Sequence, residues 1–263
     1  MKRVLLTGAG GHVARAFIAA HGDRYHLRLF AKTPVPGARE MVVGDVRRRE
    51  DLAGAARGVD AILHLAALTT DKKGVTDAEY FETNVGGTLN ALEAAVHNGV
   101  EKFVYGSSVC AVGFRASSRV VLETDRCEPS DGMYGMSKYL SERLCESYAR
   151  GRGLSAICLR TAMVVPQHPA PPRPSADAVG WCGAVHLDDV VEAYRLALDN
   201  EAVRYGVYHI AAEGPHSKFD VSQAKAALGY QPRHTLDGPA APVARRLVER
   251  ILRKAKGALD LNL

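Results

Sequence analysis

Apolar residues along this chain occur either in short runs or at helical spacing, and the two patterns alternate. Short apolar runs predict strands, and apolar residues three and four positions apart predict helices. The predicted strands are residues 2–7, 26–31, 40–43, 61–65, 102–107, 155–160 and 207–211. The predicted helices are residues 11–21, 49–56, 77–98, 134–150, 188–200 and 221–228. This alternation predicts an α/β fold, a doubly wound parallel sheet between two layers of helices.

The last third of the chain departs from the alternation in two places. Five of the 12 prolines fall between residues 166 and 174, which predicts an irregular loop over a cleft. Residues 243–263 carry six basic and two acidic side chains, most of the net charge of +5, and their apolar residues have helical spacing. We expect an amphipathic helix docked by its apolar stripe and no nucleic-acid partner, because no nucleic-acid-binding module accompanies the charge.

Composition excludes several classes of protein. Hydrophobic residues make up 47% and charged residues 24% of the chain, as in ordinary globular proteins. No apolar run approaches the roughly 18 residues of a membrane span, and no signal-peptide pattern precedes the first strand, so we expect a cytoplasmic protein that does not bind membranes. The five cysteines include no C-x-x-C pair, and the histidines lack metal-ligand spacing, so we expect neither a disulfide framework nor a metal site.

A glycine-rich turn follows the first predicted strand. Gly8, Gly11 and Ala14 match the pattern G-x-x-G-x-x-G/A and lie between a strand and a helix. Glycine permits the tight turn and lets backbone N–H groups at the helix N-terminus approach a pyrophosphate. We therefore expect Gly8, Gly11, His12 and Val13 to bind a dinucleotide, the alternative being an ordinary glycine-rich turn.

The end of the second predicted strand bears on the choice of dinucleotide. An acidic residue usually binds the adenosine ribose of NAD at this place, whereas the chain has Lys32. Lys32, with Arg39 as a second candidate, would suit a 2′-phosphate, which favours NADP over NAD, unless Lys32 simply faces solvent. Asp45, followed by Val46, would contact adenine, or would serve as the N-cap of the next helix.

Tyr134 and Lys138 lie four residues apart on a predicted helix, and therefore on one face of it. An ammonium close to a phenol stabilises the phenolate and lowers the pKa of the phenol from about 10. General acid–base catalysis is most effective when the pKa lies near the working pH. The pair predicts a proton-transfer site, the alternative being an ordinary surface pair.

The order of these motifs resembles the extended short-chain dehydrogenase/reductase superfamily, and within it the NAD-dependent epimerase/dehydratase group. The matching segments are residues 7–14, 44–46, 64–67, 83–88, 107–113, 134–138, 159–160 and 185–189. The resemblance implies a Rossmann fold and an enzyme that uses NAD(P), formed by one domain over residues 1–263. Residues 1–160 would mainly bind the dinucleotide, and residues 161–263 would form a small substrate-binding part that includes the basic helix.

The resemblance also implies roles for individual residues. Tyr134 would exchange a proton with the substrate hydroxyl or carbonyl, and Lys138 would bind the nicotinamide ribose and lower the pKa of Tyr134. Ser108 would hydrogen-bond the same substrate oxygen, with Ser107 as the second choice. Asn84 would support Lys138 through its backbone and water, unless it is only a polar helix residue. Three residues would line the cofactor cleft or belong only to the core: Leu65, Ala66 and Ala67.

The small-molecule substrate is less well specified. Only 18 residues separate Pro166 from Val185, whereas family members that act on nucleotide-sugars usually carry a longer insertion. The chain is most similar to the uronate dehydrogenase branch, in which Arg173 would pair with a sugar-acid carboxylate. A reductase of another small carbonyl compound fits as well. An epimerase with tightly held cofactor and a non-catalytic dinucleotide sensor are the alternatives. The resemblance further implies a homodimer formed by helices 77–98 and 134–150.

Overall fold

The computed structural model of the protein describes residues 1–69, 74–113, 119–165, 183–214 and 217–234. The proline-rich loop with Arg173 and the basic C-terminal segment lie outside these residues. Within them, no helix combines the length and the apolar character needed to cross a lipid bilayer.

Nine strands are present among the described residues. They are β1 (Arg3–Thr7), β2 (His26–Ala31), β3 (Met41–Val43), β4 (Ala61–His64), β5 (Lys102–Ser108), β6 (Ser155–Thr161), β7 (Met163–Val165), β8 (Ala184–His186) and β9 (Tyr205–Ile210). Seven of them form one parallel sheet in the order β3-β2-β1-β4-β5-β6-β9. β4 and β5 are buried along their whole length, as expected for central strands with helices on both faces. The predicted doubly wound α/β fold is confirmed.

Helices cover both faces of this sheet. They are α1 (His12–His21), α2 (Arg49–Ala55), α3 (Asp77–Tyr80), α4 (Gly87–His97), α5 (Met133–Arg152), α6 (Leu187–Asp199) and α7 (Ser222–Leu228). One apolar core contains Phe17 of α1 and Leu198 of α6, and a second contains Leu52 of α2 and Leu92 of α4. The two cores lie on opposite faces, because residues alternate between the faces along each strand.

The sheet reverses its direction of growth at β1. The chain extends the sheet from β1 to β2 and β3, then returns to the other side of β1 with β4. At such a reversal the loops that follow the two adjacent strands lead to opposite faces, and a crevice opens at the carboxyl ends. The loops that begin at Gly8 and Leu65 bound this crevice.

The helix predicted over residues 77–98 is interrupted by a π-helical turn, Phe81–Gly86, which separates α3 from α4. Within the turn, the Asn84 carbonyl accepts hydrogen bonds from the hydroxyls of Thr88 at 2.6 Å and Ser141 at 3.1 Å. π-helical turns are often found at functional sites. Hydrophobic spacing did not predict this one because it depends on contacts with α5.

β7 and β8 form a separate two-stranded parallel sheet that the sequence analysis does not predict. Each strand has only three residues, too few to display a twofold alternation. β8 leads directly into α6, where His186 is the N-cap and its Nδ1 accepts from the Asp188 N–H at 3.2 Å. Asp188 and Asp189 lie in the first turn of α6, where carboxylates interact favourably with the helix dipole.

Candidate active site

The glycine-rich turn between β1 and α1 forms one wall of the crevice. Gly8 has a φ of +69°, and a Cβ added to it would lie 2.7 Å from the backbone nitrogen of Ala66, so the turn requires glycine here. Gly11 N donates to Gly8 O at 2.8 Å, and α1 begins at His12. Backbone N–H groups at a helix start beside a crevice are suited to a pyrophosphate.

A cavity of about 590 Å³ occupies this part of the crevice, a size typical of ligand pockets. It is lined by nine of the residues that the sequence predicts to bind the cofactor: Gly8, Gly11, His12, Val13, Lys32, Val46, Leu65, Ala66 and Ala67. Leu65, Ala66 and Ala67 are only partly buried, and Leu65 and Ala66 also pack against the two apolar cores.

Lys32 and Asp45, which the sequence assigns to separate roles, form an ion pair. Lys32 Nζ lies 3.2 Å from Asp45 Oδ2, and Arg47 Nη2 donates to the same oxygen at 2.6 Å. Partial burial opposes ionisation of Asp45, but the hydrogen bonds from Arg47 and Lys32 outweigh it and hold the pKa of this carboxyl well below its usual range. The Lys32 side chain is 56% exposed, and its charge is partly balanced by that of Asp45.

One alternative for this region is wrong. The N-cap of α2 is Arg48, without a side-chain capping bond, so Asp45 does not cap that helix. Asp45 Oδ1 instead accepts from the Arg47 backbone N–H at 3.0 Å. Arg39, the second candidate for a 2′-phosphate, pairs with Asp23 at 3.5 Å, and both side chains are almost fully exposed.

A second cavity, of about 290 Å³, adjoins the first at the carboxyl ends of β5 and β6. The two cavities share Val13, Leu65, Ala67 and Thr69. Of the residues that the sequence assigns to catalysis or its support, Ser107, Ser108, Tyr134 and Lys138 also line the second cavity, and Asn84 does not. The structure thus brings the predicted proton-transfer residues and the glycine-rich turn to one continuous crevice.

Lys138 is buried and lines the second cavity. Its Nζ donates to Gly106 O at 2.7 Å and lies 5.8 Å from the ring centroid of Tyr134 and 5.0 Å from that of Tyr105. Burial lowers the pKa of Lys138 to about 8. The ammonium is therefore engaged with a backbone carbonyl and two aromatic faces.

The pKa of Tyr134 does not follow the expectation from the sequence. Loss of solvent in the cavity raises the pKa of its phenol above the usual value, and only the hydrogen bond with Ser108 acts in the opposite direction. Cys110, Tyr194 and Asp131 raise it further. The net shift of the Tyr134 pKa is thus opposite to the lowering that the sequence predicts.

The two adjacent serines have different surroundings. Ser107 Oγ donates to Glu142 Oε1 at 2.6 Å inside the protein. Ser108 Oγ accepts from the Cys110 N–H at 3.2 Å, and Ser108 is close enough to Tyr134 to lower the pKa of its phenol. Ser108 is therefore the serine that can share a substrate oxygen with Tyr134, because Ser107 already donates its proton to a carboxylate.

Asn84 is almost completely buried and acts through the backbone of the loop after β4. Its Oδ1 accepts from Leu68 N at 2.8 Å, and its Nδ2 donates to Leu68 O at 3.1 Å and Ser137 Oγ at 2.9 Å. None of these hydrogen bonds within the described residues reaches Lys138, although Ser137 is its neighbour on α5. Asn84 thus positions the helix that carries Lys138 and does not contact the lysine itself.

Sequence analysis assigned no role to a buried ion pair behind Ser107. Arg160 Nε and Nη2 donate to Glu142 Oε1 and Oε2 at 2.8 and 2.7 Å, and both side chains are almost fully buried. Glu142 follows Tyr134 and Lys138 at the same four-residue interval, so the three side chains lie on one face of α5. That spacing was the available signal for Glu142, but nothing in the sequence showed that Lys138 and Glu142 are buried.

Tyr194 of α6 also lines the second cavity, although the sequence analysis did not single it out. A Cβ added to Gly106 would lie 3.0 Å from its hydroxyl, so glycine at that position gives the phenol room. Burial raises the pKa of Tyr194 above its usual value. Its position on a separate helix, 60 residues from Tyr134 in sequence, explains why local motifs do not indicate it.

In the described part of the chain, three side chains of metal-ligating types lie close together. Ligand atoms of His186, Asp188 and His234 lie within 4.8 Å of one another. However, the two imidazoles stack with centroids 3.7 Å apart and an interplanar angle of 22°. Imidazole binds metals through a lone pair in the ring plane, and two nearly parallel stacked rings do not direct their lone pairs to one point. His234 Nδ1 also contacts Asp189 Oδ2 at 3.1 Å.

Residues 4–179 match the model of the NAD dependent epimerase/dehydratase family. An NAD-dependent glucose-6-phosphate dehydrogenase of Haloferax volcanii is 27% identical over 249 residues, 88% of this chain and 92% of that protein. A uronate dehydrogenase of Pseudomonas putida is also 27% identical, over 88% of this chain and 84% of its own length.

Solved structures of low sequence identity share the fold. A mutated uronate dehydrogenase superposes with a TM-score of 0.78 at 23% identity, over 95% of this chain and 86% of its own. A short-chain dehydrogenase/reductase superfamily protein from Agrobacterium tumefaciens with bound NAD gives 0.77 at 21% identity, over 99% of this chain and 100% of its own. The predicted resemblance, and with it the prediction of an enzyme, is confirmed. The chain belongs to the NAD-dependent epimerase/dehydratase family.

Proposed function

We propose that this protein is an NAD(P)-dependent oxidoreductase that interconverts a hydroxyl and a carbonyl group on a small sugar-like or specialised-metabolite substrate. One observation carries the proposal. The cavity lined by Ser108, Tyr134 and Lys138 opens into the crevice above the glycine-rich turn, and Val13 and Leu65 line both. A dinucleotide whose pyrophosphate lies at the turn would therefore extend its nicotinamide end towards Tyr134.

The residues of the second cavity suit hydride transfer coupled to proton transfer. Bound nicotinamide supplies or accepts the hydride. Tyr134 is in its protonated form and would donate its proton to the oxygen of a substrate carbonyl. Ser108, which lines the same cavity as Tyr134, would stabilise the charge on that oxygen. Lys138, next to the cavity with its Nζ bound to Gly106 O, would bind the nicotinamide ribose.

The cofactor is NADP in preference to NAD in this proposal, because Lys32 lines the crevice and no carboxylate stands at the end of β2. The ion pair with Asp45 weakens the argument for a strong preference, since part of the Lys32 charge is already balanced. Parallel titration of NADPH and NADH tests it. Lys32→Ala should weaken NADPH binding by about tenfold, or about 1.4 kcal/mol, and leave NADH binding within about twofold. Equal weakening of both would refute a 2′-phosphate contact.

The substrate is a free small molecule in this proposal. Two relatives match 88% of this chain each, a uronate dehydrogenase and a glucose-6-phosphate dehydrogenase. Both names describe oxidation of a sugar that is not joined to a nucleotide. A relative named UDP-glucose 4-epimerase matches 64% of this chain but only 51% of its own length. We therefore rank the epimerase alternative second. An epimerase would retain its cofactor and show no net change in nicotinamide absorbance, which distinguishes the two.

The predicted homodimer stays a proposal and has support on the helices concerned. Phe81 in the π-helical turn, Leu89 on α4 and Met136 on α5 are large apolar side chains with exposed fractions of 49, 36 and 39%. Pairing of the two helices with a second copy would cover them. A Leu89→Arg variant should shift the protein towards the monomer in sedimentation analysis, and an unchanged sedimentation coefficient would exclude this interface.

Replacement of the phenol tests the central proposal. Tyr134→Phe should lower turnover by at least about 100-fold, the usual contribution of a general acid, and leave the Kd of the dinucleotide within about twofold. Tyr148→Phe, on the same helix but outside the cavity, is the matched control. The assay follows nicotinamide absorbance with sugar acids, free sugars and small ketones. Unchanged turnover in Tyr134→Phe would eliminate the acid–base role.

A further inference from the structure

Tyr194 lies in the second cavity, close to its junction with the first. It lines the cavity that holds Tyr134 and Lys138. A Cβ built at Gly106 would lie 3.0 Å from the Tyr194 hydroxyl and 2.8 Å from Leu65 Cδ2, so the phenol oxygen and Leu65 are neighbours. Leu65 lines both this cavity and the crevice above the glycine-rich turn. The hydroxyl is therefore next to the passage through which a dinucleotide would extend from the turn towards Tyr134.

The hydroxyl of Tyr194 has no hydrogen-bond partner among the residues that the structure describes, and burial is the one cause that raises its pKa. The residue as a whole is only 3% exposed. A buried polar group that lacks a partner is costly, because it has lost its hydrogen bonds with water. Phenylalanine would fill the same space without this cost. We therefore expect the hydroxyl to bond a group that the chain itself does not supply.

Two other buried tyrosines bond their hydroxyls within the protein. The Tyr25 hydroxyl donates to Asp199 Oδ1 at 2.8 Å, and the Tyr230 hydroxyl donates to Ala211 O at 3.1 Å. Neither of these tyrosines lines the crevice or the cavity beside it. Tyr194 differs from them in both respects, because it lines a cavity and has no acceptor in the protein.

Packing fixes the place of the phenol relative to Lys138. Tyr194 belongs to the apolar core that contains residues of α1 and α6, whereas α5 contributes Cys145 to the core on the opposite face of the sheet. Tyr194 and Lys138 therefore reach Gly106 of β5 from helices on opposite faces. In a dinucleotide the nicotinamide ring is bonded directly to the ribose that Lys138 would bind. The proposed position of the ring is thus at Gly106, where the Tyr194 hydroxyl also lies.

Resting on the proposed function, we infer that Tyr194 is a cofactor-binding residue whose hydroxyl hydrogen-bonds the carboxamide group of the nicotinamide ring. A carboxamide offers both an N–H donor and a carbonyl acceptor, and a phenol can donate and accept. The nicotinamide ring can rotate about its bond to the ribose, and this hydrogen bond would limit the rotation. A ring held in one orientation presents the same carbon to the substrate in each turnover.

Ligands with and without the nicotinamide ring test the inference. ADP-ribose is NADH without its nicotinamide ring, and 2′-phospho-ADP-ribose is the corresponding part of NADPH. The dissociation constants of each pair are measured by isothermal titration calorimetry with the full-length protein, so the measurement requires neither turnover nor a known substrate. Tyr194→Phe is the test variant because it removes only the hydroxyl and keeps the ring that packs in the core.

Tyr194→Phe should weaken binding of the reduced dinucleotide by at least about fivefold, equivalent to about 1 kcal/mol, because one hydrogen bond is lost. Binding of the matching ADP-ribose should change by less than about twofold. Tyr25→Phe is the control, since it removes a phenol hydroxyl that is bonded to Asp199 of α6 outside both cavities, and it should alter neither constant. Circular dichroism shows whether each variant retains its helices and sheet.

A loss of less than about fivefold for the dinucleotide, or an equal loss for the ADP-ribose, overturns the inference. Unchanged dinucleotide binding with a raised KM for the substrate would assign the hydroxyl to the substrate, which overturns it as well. If the wild-type protein binds neither NADH nor NADPH, the proposed function fails and the inference fails with it. If the protein binds one of them and Tyr134→Phe loses turnover, but Tyr194→Phe binds the dinucleotide normally, only the inferred contact fails.

Discussion

Removal of one partner of the Arg160–Glu142 pair should destabilise the fold far more than removal of both. Arg160 makes two hydrogen bonds, of 2.8 and 2.7 Å, to the two oxygens of Glu142, and the side chains are 4% and 0% exposed. In Arg160→Met the buried carboxylate would keep only the hydrogen bond from Ser107. An uncompensated buried charge of this kind typically costs about 3–5 kcal/mol.

The double variant Glu142→Leu/Arg160→Met should be much less destabilised than the sum of its single variants, because no buried charge remains and the replacements fill similar space. We expect a coupling energy of about 3 kcal/mol between the two positions. Arg160→Met, Glu142→Leu and the double variant are compared by urea unfolding, followed by circular dichroism and by tyrosine fluorescence to test two-state behaviour.

An exposed ion pair provides the control for this double-mutant cycle. Arg49 Nε lies 3.1 Å from Glu93 Oε2, and the Arg49 side chain is 69% exposed. Arg49→Met should cost less than about 1 kcal/mol, as exposed pairs usually do. If Arg160→Met costs no more than Arg49→Met, or if the single and double variants are additive, the pair does not stabilise the position of α5 against β6 and the reasoning fails.

Three further predictions follow from single residues. Gly8 has a φ of +69°, and an added Cβ would lie 2.7 Å from Ala66 N, so Gly8→Ala should lower the unfolding free energy by about 2 kcal/mol and weaken NAD(P)H binding. Gly10 has open space around it, so Gly10→Ala should not alter stability. Equal unfolding free energies of the two variants would contradict this geometry. His64 is buried, and desolvation lowers its pKa to about 3 from 6.5, so the folded state disfavours the protonated form and stability should fall as pH drops from 6.5 towards 3. His64→Asn should flatten part of that slope in acid unfolding curves, and an unchanged slope would contradict the assignment. Burial raises the pKa of Tyr134, so the deprotonated phenol that accepts the substrate proton in alcohol oxidation becomes more abundant as pH rises. The kcat/KM for alcohol oxidation should therefore increase about tenfold per pH unit from pH 7 to pH 9, while the kcat/KM for carbonyl reduction should not increase. A plateau in the oxidation rate below pH 8 would refute this.

The doubly wound sheet could be predicted because each strand and helix has its own hydrophobic periodicity. The glycine-rich wall of the crevice could be predicted because a side chain at these positions would clash with the neighbouring backbone. Gly8 illustrates this, since its positive φ and its closeness to Ala66 both exclude a side chain. The π-helical turn at Asn84 differs, because its carbonyl also accepts a hydrogen bond from the Ser141 hydroxyl of α5. No pattern within residues 77–98 contains that information.

The electrostatics of the site were harder to predict than the identity of the residues that line it. Four-residue spacing correctly places Tyr134 and Lys138 at one cavity, but it does not reveal how far each is desolvated or which acceptor Lys138 has. The Lys32–Asp45 pair shows the same limit, because each residue was assigned a ligand and the sequence does not show that the two also contact each other. Pairing between residues from different loops depends on tertiary geometry that a single sequence does not encode in any local pattern.

The stability of the fold and the chemistry of the site are linked through one face of α5. Tyr134 and Lys138 occupy successive turns of that face and line the cavity, while Glu142 on the next turn is bound to Arg160 of β6 inside the protein. If α5 rotated by a fraction of a turn, the Arg160–Glu142 pair would break and the Tyr134 phenol would move away from Ser108 at the same time. Substitutions at Glu142 would therefore reduce turnover although Glu142 lies outside the cavity, so loss of activity alone does not identify a catalytic residue on this helix.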